Sequence, residues 1–184
     1  KLADRLGIRV RERTLVRSAA AAVSMPGKRF IPVRHKSCGV ALVDVERAAA
    51  RVYAEGDEDG AAVLAYMHSR GLDDAAIQHF RLGVAFIKAG GGRERAVGIP
   101  YVDGEHVLLG KMRNLEDDKE KRRFQRTKGG ESALFNVAGV RDRRRVVLVE
   151  GELDAISLWQ CGVTEVASTS LGAKGDVPQA WKEA

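Results

Sequence analysis

Val146-Val147-Leu148-Val149-Glu150-Gly151-Glu152-Leu153-Asp154-Ala155 opens with four apolar residues and then turns abruptly acidic. A continuous apolar run of this length reads as a strand of the buried parallel type, covered on both faces. Gly151 permits a tight exit from it. Leu153, Ile156 and Trp159 then recur at helical spacing until Gly162. A second strand candidate, residues 163–168, follows, with a glycine-containing loop at 171–175. Strand, turn, helix, strand is the start of a doubly wound sheet. Such sheets gather ligands beyond the carboxyl ends of their strands, which is where Glu150 falls. Asp154 lies about one turn into the helix, so both carboxylates can face one crevice, an arrangement suited to Mg²⁺ or to general acid–base chemistry. The plainer reading makes Glu150 a helix cap and Asp154 a solvated first-turn acid. A phosphate on this helix N-terminus is opposed by Glu150 and Glu152 unless a metal lies between.

Charge is concentrated just upstream. The 184 residues carry a formal net charge of +6. Residues 111–145 hold twelve Lys or Arg against six Asp or Glu, an excess equal to that of the whole chain. A localised excess suits an acidic partner such as nucleic acid. Lys111, Arg113, Lys121, Arg122, Arg123, Arg126 and Lys128 are the candidate phosphate contacts, with Phe124 available to stack a base. The alternative is a solvated, charge-rich edge that protects a sheet from aggregation. Arg141, Arg143, Arg144 and Arg145 form a less specific basic lead-in to the 146–149 strand.

The remaining chain reads as a mixed α+β subdomain before this α/β start. Residues 1–43, rich in Arg and small residues and containing Pro26 and Pro32, suggest a helix end and a linker. Asp44, Asp59 and Asp73 are candidate caps of three successive helices, with Gly56 and Gly71 closing the first two. Val97, Ile99 and Tyr101 alternate, Asp103-Gly104 signals a hairpin, and Val107, Leu108 and Leu109 follow. Residues 114–130 read as a loop or edge, and residues 132–140 as a short helix ended by Gly139. Segments 1–43, 44–145 and 146–184 are the expected divisions.

The 146–155 stretch resembles the opening of the Toprim domain, the α/β fold shared by primases, topoisomerases and some nucleases. The family's strand ends in Glu, followed by Gly and by Asp three residues on, positions held here by Glu150, Gly151 and Asp154. The resemblance implies that Glu150 is a metal ligand or general base and that Asp154 supports it. Upstream, Tyr66-Met67-His68-Ser69-Arg70-Gly71-Leu72, Phe80-Arg81-Leu82-Gly83 and Gly98-Ile99-Pro100-Tyr101 occur in the order found in DnaG-type DNA primases of bacteria and phages. Gly110-Lys111-Met112-Arg113-Asn114 followed by Arg122-Arg123-Phe124 resembles the phage pattern. Leu2-Ala3-Asp4-Arg5-Leu6-Gly7-Ile8 is similar to the helix end after the family's zinc-binding module.

The resemblance implies template-directed RNA primer synthesis in DNA replication, a nucleotidyl transfer that uses Mg²⁺ or Mn²⁺. The implied partners are a single-stranded DNA template, ribonucleoside triphosphates and a replicative helicase, in the cytoplasm. Arg113 and Arg123 would contact phosphates. The family also uses an Asp-x-Asp pair and further acids on later strands. These 184 residues do not supply them, so the chain alone is expected to be an incomplete core that makes no primers, with the strands at 146–149 and 163–167 partly uncovered on at least one side. A non-catalytic nucleic-acid-binding module with a degenerate Toprim segment, or a Toprim nuclease or topoisomerase relative, are the alternatives.

Other features point to less. Two cysteines, Cys38 and Cys161, do not make a disulfide framework, and Cys38 with His35 is too few ligands for zinc. Cys161 is expected to pack inside. Gly90-Gly91-Gly92 reads as a flexible loop, and Glu116-Asp117-Asp118 as a solvated turn. No apolar run approaches the roughly 18 residues of a membrane span, so no membrane partner is expected.

Overall fold

The computed structural model describes residues 38–89, 92–116, 123–130 and 132–170. Three helices come first: α1 (Leu42–Ala50), followed directly by a 3-10 turn (Arg51–Tyr53), α2 (Glu58–Ser69) and α3 (Asp74–His79). Asp73 caps α3 by accepting from the Ala76 amide, as its position predicts. The other two caps differ from expectation. Asp57 caps α2 through the Gly60 amide, while Asp59 lies inside the first turn and instead pairs with Arg51 and Arg95. Asp44 lies within α1, whose N-cap is Ala41. Gly71, at φ +79°, ends α2 in the left-handed conformation that favours glycine.

Four antiparallel strands follow in spatial order β1 (Gly83–Ala89), β2 (Gly92–Asp103), β3 (His106–Asn114) and β4 (Phe124–Arg126). The Asp103-Gly104 hairpin forms as read, with Gly104 at φ +58°. The β1 strand is additional to the expectation, and Gly92 opens β2 rather than sitting in a loop; Gly90 and Gly91 lie outside the described residues. Residues 132–140 are not one helix. They contain β5 (Leu134–Phe135) and the four-residue α4 (Val137–Val140), because Asn136 adopts a left-handed φ of 59° between them.

The acidic stretch folds as β6 (Val147–Val149), α5 (Glu152–Gln160) and β7 (Val166–Thr169). The β6 and β7 strands are parallel, so the strand–turn–helix–strand unit is present. The β6 strand is not covered on both faces, as the apolar run alone would have it, but partly uncovered, as expected of a sheet that lacks further strands. Among the described residues the strand order is β5-β7-β6, which puts β6 at an edge, and Val147 and Leu148 are 43% and 63% exposed. Cys161, expected inside, is exposed at the end of α5.

One apolar cluster runs through helices and both sheets. It includes Val63, Met67 and Ile77 from the helices, Val97, Ile99 and Tyr101 from β2, and Phe135, Ile156 and Val166 beyond them. Phe135 meets Phe80 and Tyr101 at ring separations of 5.1 and 5.4 Å, so its ring joins the small sheet to the larger one. Among the described residues, no helix is long and apolar enough to cross a membrane.

Candidate nucleic-acid interface

Strand alternation and register gather the basic residues. Lys111 and Arg113 are two apart on β3 and therefore share a face. Their partners on β4 are Arg126 and Phe124, and their partners on β2 are Ile99 and Val97. Phe124 is the hub. Its ring is 37% exposed, and the charged ends of Lys111, Arg113 and Arg123 lie 4.6, 5.1 and 5.8 Å from its centre. Cations over an aromatic face are attracted by its quadrupole, and they also keep the ring close to positive charge.

The two β3 cations are held from below. Arg113 is buried, its Nε donates to the Tyr66 hydroxyl, and the Tyr66 ring lies 6.0 Å from its guanidinium. Lys111 Nζ donates to Glu152 Oε1 at 2.7 Å. That carboxylate is 4% exposed and also accepts from the Tyr101 hydroxyl. Burial, followed by the Glu152 charge, pushes the Tyr101 phenol far above its ordinary value, so it remains a donor.

Glu152 is the first residue of α5, two residues after Glu150. Glu150 and Asp154 are exposed at the carboxyl end of β6. An added Cβ on Gly151 would stand 2.9 Å from Asp154 Oδ2, so the Asp154 carboxylate leans back over the Gly151 turn. Here glycine serves close approach; its φ of −119° is ordinary. Among the described residues, no three His, Cys, Asp or Glu side chains are grouped to hold a metal ion. Mg²⁺ commonly takes one or two carboxylates and fills its other positions with water and phosphate oxygen, so the exposed Glu150 and Asp154 are the residues of this turn that could hold it.

The structure thus brings Lys111, Arg113 and Arg123 around Phe124, with Arg126 opposite Lys111, and places Glu150 and Asp154 on either side of the Gly151 turn. Lys128 is exposed in the turn after β4. Arg122 and Lys121 lie outside the described residues, as do His35, Asp117 and Asp118. Cys38 is buried and its Sγ donates to the Val107 carbonyl at 3.4 Å, a packing role. Arg141 pairs with Asp103, which ties the basic lead-in to the β2–β3 hairpin. Sequence reasoning did not assign roles to Tyr66, Tyr101 or Glu152. The hairpin register would place Tyr101 and Lys111 on one face, but no local signal reaches Glu152.

No protein-family model and no curated protein sequence matches the chain. Solved structures do. The RNA polymerase domain of Mycobacterium tuberculosis primase DnaG superposes with a TM-score of 0.61 at 17% identity, covering 77% of this chain and 58% of that one. The fold is that of a DnaG primase catalytic core. The E. coli primase catalytic core matches at a TM-score of 0.54 and 16% identity, over 69% of this chain and 52% of its own length. A DnaG primase catalytic domain bound to single-stranded DNA gives the same TM-score of 0.54 at 15% identity, over 69% of this chain and 53% of that one. The chain spans a little over half the length of these primase structures.

Proposed function

We propose that this chain forms the template- and nucleotide-handling part of a DNA primase, which joins ribonucleotides on a single-stranded DNA template. The observation that carries the reading is the Lys111–Glu152 contact. On a primase-core fold, it sets the turn between Glu150 and Asp154 against an edge built from cations and an exposed aromatic ring. Phe124 offers a face on which any base can stack, and Arg123, Arg126 and Lys128 offer charge to phosphates. Glu150 and Asp154 would hold Mg²⁺ or Mn²⁺, which supplies charge neutralisation at a triphosphate when bound. Glu150 supplies an anionic oxygen at the strand end, and Asp154 leans back over the Gly151 turn that follows it. The Phe124 cluster would keep the template strand and the nucleotide on one face of the β1–β4 sheet.

A Toprim identity for the segment 146–184 and a helicase partner belong to this proposal. The β6–α5–β7 unit with Glu150 at its strand end supports the first. Nothing in the geometry favours the nuclease or the non-catalytic reading over it.

The test joins binding to synthesis. The 184-residue chain should bind a single-stranded oligonucleotide and, with Mg²⁺, a fluorescent ribonucleoside triphosphate. Glu150→Gln should remove most of the Mg²⁺-dependent part of the nucleotide binding and spare oligonucleotide binding. Wherever primer synthesis is measured with this core, the same change should abolish it. Full primer synthesis by Glu150→Gln would overturn the assignment.

A further inference from the structure

We propose that Glu152 is a positioning residue for nucleotide binding: its buried carboxylate fixes the Lys111 ammonium between the Glu150 turn and the Phe124 ring, where it meets the triphosphate. The inference rests on the primase reading of this site and names the group that sets its geometry.

Three observations carry it. The first is placement. Glu152 opens α5 two residues after Glu150, a separation of at most about 7 Å along the chain, while its partner Lys111 lies on β3 beside Phe124. One carboxylate therefore spans the acidic turn and the basic edge. A triphosphate held by a cation at Glu150, with its base near Phe124, would pass Lys111.

The second is donor capacity. An ammonium has three N–H donors. Glu152 takes one at 2.7 Å, and the Phe124 ring lies 4.6 Å from the nitrogen, so capacity for a phosphate oxygen remains. The Lys111 side chain is 12% exposed, which restrains a long side chain that would otherwise sample many rotamers. An ammonium held in place loses less entropy when the nucleotide arrives.

The third is the chemistry of the pair. Joining the two sheets does not require charge, because buried ion pairs are often replaced by apolar residues at little or no cost in stability. The Tyr101 hydroxyl, kept protonated by burial, gives Glu152 a second donor and holds the carboxylate in the orientation that receives Lys111. Two donors on one nearly inaccessible carboxylate make a fixed bracket, and a plain staple would not need it.

The experiment measures the affinity of a fluorescent ribonucleoside triphosphate with Mg²⁺, the affinity of a single-stranded oligonucleotide, and thermal melting. The variants are Glu152→Gln, Lys111→Met, their combination, and the exchanged pair Glu152→Lys with Lys111→Glu. Glu152→Gln should weaken nucleotide binding by about tenfold, the scale of one charge-assisted contact, with a several-fold smaller loss for the oligonucleotide. In the Lys111→Met background the same change should alter nucleotide affinity less than twofold, because Glu152 acts through Lys111. The exchanged pair should recover melting temperature without recovering nucleotide affinity. Unchanged nucleotide affinity in Glu152→Gln overturns the proposal, as does an exchanged pair that restores both properties. If the exchanged pair does not fold, the double-variant cycle decides, and additive losses overturn the proposal. A wild-type chain that binds neither ligand overturns the primase reading itself, whereas one that binds both and fails these comparisons overturns the role of Glu152 alone.

Discussion

Phe124 and Arg113 are cross-strand partners on β4 and β3, and the Arg113 guanidinium lies 5.1 Å from the centre of the Phe124 ring. Arg113 in turn rests on Tyr66 of α2. A helix, a central strand and an edge strand thus meet in one stack of ring, cation and ring. The exposed member of that stack, Phe124, has a support that is itself buried.

Phe124→Ala should lower single-stranded DNA affinity by about tenfold, consistent with roughly 1–3 kcal/mol per stacked base. The slope of log affinity against log salt should stay unchanged, since no charge is removed. Fluorescence anisotropy across a salt series checks both quantities. A changed slope with unchanged affinity would contradict stacking.

Lys128→Ala and Arg126→Ala should show the opposite signature. Each should reduce the salt slope by roughly 0.7, the value expected per phosphate contact on a single strand. Together with Arg123→Ala the reductions should accumulate. A set of variants with wild-type slope would make β4 a solvated edge.

Gly60→Ala would ordinarily strengthen a helix by about 1 kcal/mol. Here the new Cβ would stand 2.0 Å from the Arg51 carbonyl oxygen, a backbone atom that cannot swing away. The sign should therefore reverse, to a loss of about 1–3 kcal/mol, read as a lower denaturation midpoint with unchanged urea dependence.

His79 stacks on Trp159 at a ring separation of 4.1 Å, and burial, with Arg81 nearby, lowers its pKa from the ordinary 6.5. The unfolded chain then takes up the proton first as pH falls. Stability should be fully present above about pH 6.5 and decline as pH drops from there through the lower folded value. Thermal melts at pH 7.5 and 5.5 should show a larger drop for the wild type than for His79→Gln.

Local chemistry made much of this legible. Asp73 and Gly71 act within a few residues of themselves, so their cap and helix-end roles could be read directly. Asp103-Gly104 set a hairpin register that brings Lys111 and Arg113 to one face. Other features depended on distant partners. Asp57 and Asp59 are both plausible caps, and Arg95, 36 residues away, claims the second. The 146–149 run is apolar enough for a central strand, and its position at an edge among the described residues agrees with the strands expected to be missing from its sheet rather than with hydrophobicity alone. Glu152 finds Lys111 across 41 residues, so a first-turn glutamate looked like a turn residue.

The continuous apolar cluster has a consequence for dissecting the molecule. Ile156 and Val166 belong to the same cluster as Phe80, Tyr101 and Phe135, Trp159 meets His79 and Phe80, and β7 pairs with β5. A backbone nick within residues 141–145 would sever the connection to β6 while leaving these side chains in place. The two pieces should remain associated through gel filtration and separate in denaturant, and separately prepared pieces should reassemble by fragment complementation.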